Sequence, residues 1–367
     1  MKRLVRFRRF INTEVKSYLR ALFAVFAFVN LILGVLAGFG RLGMSFPLSY
    51  AVVNHGAVMV GGFLGTLVSL EKVIPLKKRA LLIIPATSGL AILPFVNGMF
   101  LTGASLLLAA STGLTIVYIV YASRQHALYL YVMLGGAVCW AVGNSVLLYG
   151  RFFPAAFPWW MGFLLFTIVG ERLELSKFLP VSNTIRAFLL VFLILVVAGL
   201  IIPFHRYGTY VAGVGMIGAA VWLMRFDMVG LSLRKSGLTR FIGYALMCGY
   251  CALMLEGVFL LALPDVPFAY DIIVHTFFLG FVFSMIFAHG PIILPGVLGL
   301  AVKPYHPFFY VPLVLLEASV LVRIVADMNL LPYEARITSA WMTATAMVLY
   351  FVTLLSLFIH ARRKKSV

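Results

Sequence analysis

Apolar segments long enough to cross a lipid bilayer recur along the whole chain. The hydrocarbon core of a bilayer is about 30 Å thick, so a spanning helix needs about 20 apolar residues. Segments of this kind cover residues 18–39, 50–70, 79–97, 101–122, 127–149, 155–171, 185–203, 207–226, 240–263, 269–294, 307–326 and 338–360. Backbone groups in lipid must be hydrogen-bonded within their own segment, so continuous apolar runs of this length are helices rather than barrel strands. The sequence therefore predicts an all-α fold, a polytopic membrane bundle of about 12 transmembrane helices.

The composition is that of one membrane domain. Of the 367 residues, 63% are hydrophobic and only 11% are charged, a balance that a soluble core of this size does not need. The loops between the spans are short, and no polar linker or low-complexity tract interrupts them. We therefore predict that residues 1–367 form a single integral membrane domain.

The formal net charge of +18 follows the alternation of the spans. Basic clusters lie before helix 1, between helices 2 and 3, between helices 8 and 9, and after helix 12: Lys2, Arg3, Arg6, Arg8, Arg9, Lys16, Arg20; Lys72, Lys77, Lys78, Arg79; Arg225, Arg234, Lys235, Arg240; Arg362, Arg363, Lys364, Lys365. An even number of helices places all four clusters on one side of the membrane, and basic loops accumulate on the cytoplasmic side. Both termini are therefore predicted to be cytoplasmic. Anionic lipid headgroups, and not nucleic acid, are the predicted partners of this charge.

Two histidines lie at matching depth in apolar spans. His55 is about five residues into predicted helix 2 and His275 about six residues into predicted helix 10, and both helices are predicted to run inward. At 1.5 Å per residue, each imidazole lies roughly 8 to 9 Å below the outer end of its helix. This depth suits two axial ligands of one haem. Two alternatives stay open, namely hydrogen-bonded interior histidines and a proton or substrate relay. The glycines of "HGAVMVGGFLG" predict grooves that admit either a neighbouring helix or a flat macrocycle.

His289 cannot share a haem with His275. It follows His275 by fourteen residues, which places it within about 40° of the same helix face but roughly 21 Å deeper. It is predicted either to ligate a second cofactor or to line a quinone or proton site with carboxylates such as Glu71 and Glu171. The alternative is a helix-end histidine that extends to the membrane interface.

Three further ionisable side chains lie inside predicted spans, where such groups are functional candidates by default. Arg323 is predicted near the outer helix ends, at a depth where it could bind a haem propionate. A structural ion pair with another helix, with Glu256 as a candidate partner, is the alternative for Arg323. Glu256 also fits a proton conduit, and Glu317 is the third group of this set.

The histidine count limits the chemistry. A haem–copper oxidase or nitric oxide reductase needs two axial histidines, a third for its high-spin haem and three more for copper or iron. This chain has seven histidines, of which His126, His306 and His360 fall at predicted cytoplasmic ends and His205 in an outer loop. A complete binuclear site is therefore not predicted. No cluster of carboxylates or nucleophiles specifies a reaction, so the sequence does not decide whether the protein is an enzyme.

Three segments of the chain together resemble the NnrS family. They are "NHGAVMVGGFLGTLVSLEK" at helix 2, "TIVGERLELSKFLP" at the end of helix 6 and "YDIIVHTFFLGFVFSMIFAHGPIILPG" across helix 10. His55 matches the family's helix 2 histidine, Gly170 with Arg172 its Gly-x-Arg element, and His275 with His289 its helix 10 pair. The chain departs from the family near His289, where the usual arginine and Gly-His-Thr-Gly run are replaced by "IFAHGPIILPG".

The resemblance implies a twelve-helix membrane protein of nitric oxide metabolism or nitrosative-stress response, distantly similar to haem–copper oxidase catalytic subunits. It implies haem b between helices 2 and 10, with His55 and His275 as axial ligands, and it implies copper as a further metal, with His289 as another candidate metal ligand. The predicted location is a bacterial or archaeal cytoplasmic (inner) membrane. Nitric oxide, which the resemblance suggests, and a quinone are the candidate small-molecule partners.

Two other functions are consistent with the residues. A proton-coupled or other secondary transporter would need only the helix count, the glycine-rich helices and the intramembrane Glu256 and Glu317. The third hypothesis is an accessory or assembly factor of a respiratory complex. Nothing in the sequence indicates an oligomeric state.

Overall fold

The structure is a computed structural model that describes residues 17–262, 266–298 and 303–363. Within these residues the chain is helical without any β-strand, and twelve helices are long and apolar enough to cross a membrane. They are α1 (Leu19–Arg41), α2 (His55–Leu76), α3 (Arg79–Val96), α4 (Phe100–Arg124), α5 (Leu128–Gly150), α6 (Phe153–Phe178), α7 (Asn183–Ile201), α8 (Arg206–Phe226), α9 (Gly237–Leu261), α10 (Ala269–Val297), α11 (Pro307–Asp327) and α12 (Glu334–Ala361). The predicted all-α membrane fold is confirmed, and the protein is a multi-pass membrane protein in contact with the lipid bilayer.

The helix ends differ modestly from the predicted spans. The largest difference is at the end of α6, predicted at residue 171 and found at Phe178. A short helix, Ser49–Val53, precedes α2 and is separated from it by Asn54, so His55 is the first residue of α2 itself. The end of α2 has a local cause, because Pro75 lies in a terminal 3₁₀ turn and Lys77 then adopts a left-handed φ of 52°.

The helices form two compact units. The first comprises Met1–Gly170 and Ile293–Ala301, and the second comprises Glu171–Ile292 and Val302–Val367. The first therefore holds α1 to α5 and most of α6, and the second holds α7, α8, α9, α11, α12 and most of α10. Two helices, α6 and α10, contribute residues to both units.

In the first unit, α1 packs against the middle of α2, and α4 packs against α5. Three glycines of α2 make this packing close. A Cβ added to Gly61 would lie 2.5 Å from Leu107, one on Gly62 would lie 2.0 Å from Asn30, and one on Gly65 would lie 2.2 Å from Trp140. Side chains of neighbouring helices therefore occupy the grooves at these glycines, which is the helix-packing alternative of the sequence prediction.

In the second unit, α8 packs against both α7 and α9, α9 packs against α10, and α11 packs against α12. The backbones of α8 and α9 touch, because a Cβ on Gly213 would lie 2.7 Å from the Gly257 carbonyl oxygen and a Cβ on Gly257 would lie 2.8 Å from the Gly213 carbonyl oxygen. Helix α10 packs against α9 and α11, so its polar side chains face neighbouring helices of the same unit.

Candidate functional site

Both histidines predicted as haem ligands lie at or close to the start of an unusual helical segment. After His275, residues Thr276–Phe283 of α10 form a π-helix, and the α-helix resumes at Ser284. In α2, residues Val58–Gly65 form a π-helix of the same length shortly after His55. π-Helical segments are rare and occur frequently at functional sites. We therefore place the candidate site along α10, which also carries His289.

His275 is held by a carboxylate on its own helix. Its Nδ1 atom lies 3.1 Å from the backbone carbonyl oxygen of Asp271 and 3.1 Å from the Asp271 carboxylate. The imidazole is partly exposed, at 23% of its side-chain surface. Its Nε2 atom makes no hydrogen bond within the described part of the chain. The ring therefore has a fixed orientation, with one nitrogen anchored by Asp271.

Three further charged side chains, Arg323, Asp327 and Arg336, extend this contact. We call them, together with Asp271 and His275, the His275 network. Arg323 donates to Asp271 at 2.7 Å and to Asp327 at 3.3 Å. Arg336 lies 2.6 Å from Asp327 and 3.7 Å from Asp271. Asp327 is fully buried, and Arg323 and Arg336 are 7% and 6% exposed. Two basic and two acidic side chains thus lie together inside the unit, and their mutual attraction offsets the cost of removing them from water.

The partner of Arg323 differs from the candidate that the sequence suggested. Arg323 forms the ion pair that was one of its two alternatives, but its partners are Asp271 and Asp327 and not Glu256. Asp271 lies four residues before His275 on α10, and Asp327 lies four residues after Arg323 on α11. This spacing places two side chains on one helix face, so the pairs could have been read from the sequence. The role of Arg323 at a haem propionate stays a prediction.

A second buried cluster surrounds His289, and we call Arg172, Asp227, Tyr250 and His289 the His289 network. The Arg172 guanidinium donates two hydrogen bonds to the Asp227 carboxylate, at 2.9 and 3.0 Å. The Tyr250 hydroxyl donates to the same carboxylate at 2.7 Å. The Arg172 and Asp227 side chains are 4% and 0% exposed. Arg172 and His289 are candidates from the sequence, whereas no sequence pattern indicates Asp227 or Tyr250.

Both ring nitrogens of His289 are occupied. Nη1 of Arg172 lies 3.1 Å from Nε2, and an arginine can only donate, so Nε2 is the acceptor. The ring proton is then on Nδ1, which donates to the Met285 carbonyl oxygen at 2.8 Å. A metal at Nε2 would have to displace Arg172. The predicted role of His289 as a metal ligand stays a prediction.

Between the two networks lie two acidic side chains without a cationic partner. Glu317 of α11 accepts a hydrogen bond from the Ser284 hydroxyl of α10. Glu256 of α9 is fully buried, and neither of its carboxyl oxygens has a hydrogen-bond partner among the described residues. Such groups are expensive in a membrane interior and are therefore functional candidates.

His55 lies in the first unit, where it contacts α1. Its Nδ1 atom lies 2.8 Å from the Gly34 carbonyl oxygen. A Cβ on Gly38 would lie 3.2 Å from the imidazole, so this glycine leaves room for the ring. His55 thus also has one ring nitrogen anchored by a backbone carbonyl.

Within the described ranges, no group of three or more His, Cys, Asp or Glu side chains is arranged to hold a metal ion. The two networks contain acids and histidines, but their carboxylates are directed at arginines. Ion pairing, hydrogen bonding and proton exchange are the chemistry that these side chains can perform by themselves.

Comparison with known proteins gives one match. Residues 20–359 match the family described as a domain of unknown function, DUF8744. The chain belongs to this family. No curated protein matches the chain. No solved structure matches it either.

Proposed function

We propose that this DUF8744 protein is a haem-binding membrane protein, with His275 as an axial ligand. The observation that carries the proposal is the Nδ1 contact of His275 with Asp271, at 3.1 Å to both the carbonyl and the carboxylate oxygen. Histidines that ligate metals usually donate their other ring N–H to a carboxylate or carbonyl, which fixes the tautomer and orients Nε2 toward the metal. Arg323 in turn holds Asp271 in place.

A similar contact supports His55 as a haem ligand, because its Nδ1 atom lies 2.8 Å from the Gly34 carbonyl oxygen. Arg323 is already paired with two carboxylates. The proposal therefore rests on the histidines and not on a propionate contact. A bound haem would supply a one-electron centre and, if an axial position were open, a binding site for a diatomic ligand.

The link to nitric oxide comes from the resemblance to NnrS proteins in the three segments around His55, Arg172 and His275. It makes haem b the expected type and nitric oxide the first diatomic ligand to test. Copper, which the resemblance also implies, is measured by metal analysis of the same preparation.

The orientation in the membrane is part of the proposal. The basic clusters before α1, between α2 and α3, between α8 and α9 and after α12 favour cytoplasmic termini in a cytoplasmic membrane. Single cysteines at exposed loop positions of a cysteine-free variant, labelled with a membrane-impermeant maleimide in intact cells, test this. Labelling of the loop between α8 and α9 without permeabilisation would contradict the proposed orientation.

The deciding experiment is the pyridine haemochrome and the reduced-minus-oxidised spectrum of detergent-purified protein. We compare the wild type with His275→Ala and His55→Ala, and use His360→Ala as the matched control, because His360 is exposed at the end of α12. We expect a b-type spectrum that each of the first two variants loses or changes and that the control retains. Addition of nitric oxide to the reduced wild type should then shift the haem absorption.

Folded wild-type protein that stays colourless when expressed with ample haem would refute the proposal. Gel filtration and thermal unfolding establish the folded state in each case. That result would leave the secondary-transporter hypothesis as the better explanation of the intramembrane carboxyl groups.

A further inference from the structure

Glu256 and Glu317 differ from the acidic side chains of the His275 and His289 networks in having no cationic partner. The acids of those networks are paired with arginines. In the described part of the chain, no lysine, arginine or histidine forms an ion pair with Glu256 or Glu317. A carboxylate without a counter-charge is expensive inside a membrane, so it must be neutralised.

The register of α9 against α10 shows what faces Glu256. A Cβ on Gly280 would lie 2.8 Å from the Ala252 Cβ. The two helices are antiparallel, since Phe259 and Ile272 share one apolar cluster farther along the same pair. Four residues on from Ala252 is Glu256, and four residues back from Gly280 is Thr276.

Thr276 is itself unusual. It is fully buried, and its hydroxyl group also has no hydrogen-bond partner among the described residues. It opens the π-helical segment of α10. Two orphan polar groups, one on each helix, thus lie at the same level of the α9–α10 interface. A carboxyl group and a hydroxyl group together can accept and donate a proton.

Glu317 provides the next position along α10. Its partner Ser284 follows Thr276 by eight residues, the length of the π-helical segment, and His289 follows Ser284 by five residues of α-helix, roughly 7 Å along the axis. The thiol groups of Cys248 and Cys251 are the titratable neighbours of Glu317 from α9. Near Glu256, Ile217 of α8 packs at the next residue, Gly257, and Val320 of α11 packs at Gly280 on the facing part of α10.

We infer that the second unit binds protons at Glu256 and Glu317 and passes them along α10 between the His275 network and the His289 network. Each step moves one proton between oxygen or nitrogen atoms and moves no electron. Water carries the proton across intervals longer than a hydrogen bond. The arginine-paired carboxylates of the two networks supply polar ends to this path, and the two carboxyl groups without a counter-charge hold the proton between them.

The test is proton flux into proteoliposomes that contain the full chain and a pH-sensitive dye, driven by a potassium gradient with valinomycin. We expect wild-type flux above that of protein-free liposomes and its loss in Glu256→Gln and in Glu317→Gln, which keep side-chain size. Glu334→Gln is the matched control, because Glu334 is an exposed carboxylate at the start of α12; it should conduct as the wild type does. Absence of wild-type flux, or unchanged flux in Glu256→Gln, would overturn the inference.

A second measurement uses the wild type alone and so does not depend on the folding of a variant. A hydrophobic carbodiimide adds to a protonated carboxyl group in an apolar site and forms a stable N-acylurea. We expect mass spectrometry to locate this adduct at Glu256 and Glu317 but not at Glu334, with parallel loss of flux. No adduct at Glu256 would count against the inference. The result is independent of haem, since colourless protein that conducts protons would refute the proposed haem function alone.

Discussion

Replacing Asp227 with asparagine removes one charge from a buried ion pair while keeping the size of the side chain. Arg172 then retains a positive charge at 4% exposure without a counter-charge. An asparagine amide offers one oxygen acceptor in place of two, so one of the guanidinium donors now at 2.9 and 3.0 Å loses its partner, as can the Tyr250 hydroxyl. Removing one partner of a buried ion pair costs about 3 to 5 kcal/mol. We expect a loss of this size in the free energy of unfolding, which lowers the folded-to-unfolded ratio by a factor of about 150 to 4,000.

The assay is reversible unfolding in mixed micelles with increasing sodium dodecyl sulfate, followed by tryptophan fluorescence. Arg172→Gln removes the opposite charge, and the double variant completes a thermodynamic cycle with Asp227→Asn. Because the double variant contains no unpaired charge, it should be more stable than the sum of the two single losses predicts. Glu334→Gln serves as the exposed control. A loss below about 1 kcal/mol for Asp227→Asn, or strict additivity in the cycle, would refute our view of this pair.

Two further predictions concern the second unit. Gly213→Ala should lower the free energy of unfolding by about 1 to 3 kcal/mol, because the added Cβ would lie 2.7 Å from the Gly257 carbonyl oxygen. Gly230→Ala is the control, because no atom lies within 4 Å of its added Cβ, and it should change the melting temperature little. Equal shifts in melting temperature for the two variants would contradict the close contact. Tyr250→Phe should lower the free energy of unfolding by about 1.5 to 3 kcal/mol, the contribution of a hydrogen bond to a charged group. In a protein that already carries Asp227→Asn, the same change should have almost no further effect, which unfolding of the double variant measures.

The fold was predictable because hydropathy and length alone determine a membrane helix. Each of the twelve apolar runs became one spanning helix. The errors arose at helix ends, where polar side chains are compatible with both a loop and a buried helical turn. Arg336 lies outside the predicted span 338–360 for this reason, whereas in the structure it lies in α12, stacked 3.6 Å over the Phe268 ring and paired with Asp327.

The candidate site was only partly predictable. His275 and His289 stand out because a histidine in an apolar run is conspicuous, and Arg172 emerged from its Gly-x-Arg context. Asp227 did not, because an acid next to a basic loop looks like an ordinary solvated residue. Its partner Arg172 is 55 residues away in the chain. Only tertiary packing shows that the two side chains meet, and the same holds for the orphan hydroxyl of Thr276.

The sharing of α6 and α10 by both units limits how the chain can be divided. A cut in the loop after α6 would look natural, since six helices lie on each side of it. The carboxy-terminal fragment would then contain Asp227, Tyr250 and His289 but not Arg172. The Arg172 guanidinium contacts both Asp227 and His289. Such a fragment would contain a buried aspartate without its cation, and co-expression of the other fragment would be needed to restore it. Gene splitting between these six-helix halves is therefore expected to yield partners that depend on each other for folding.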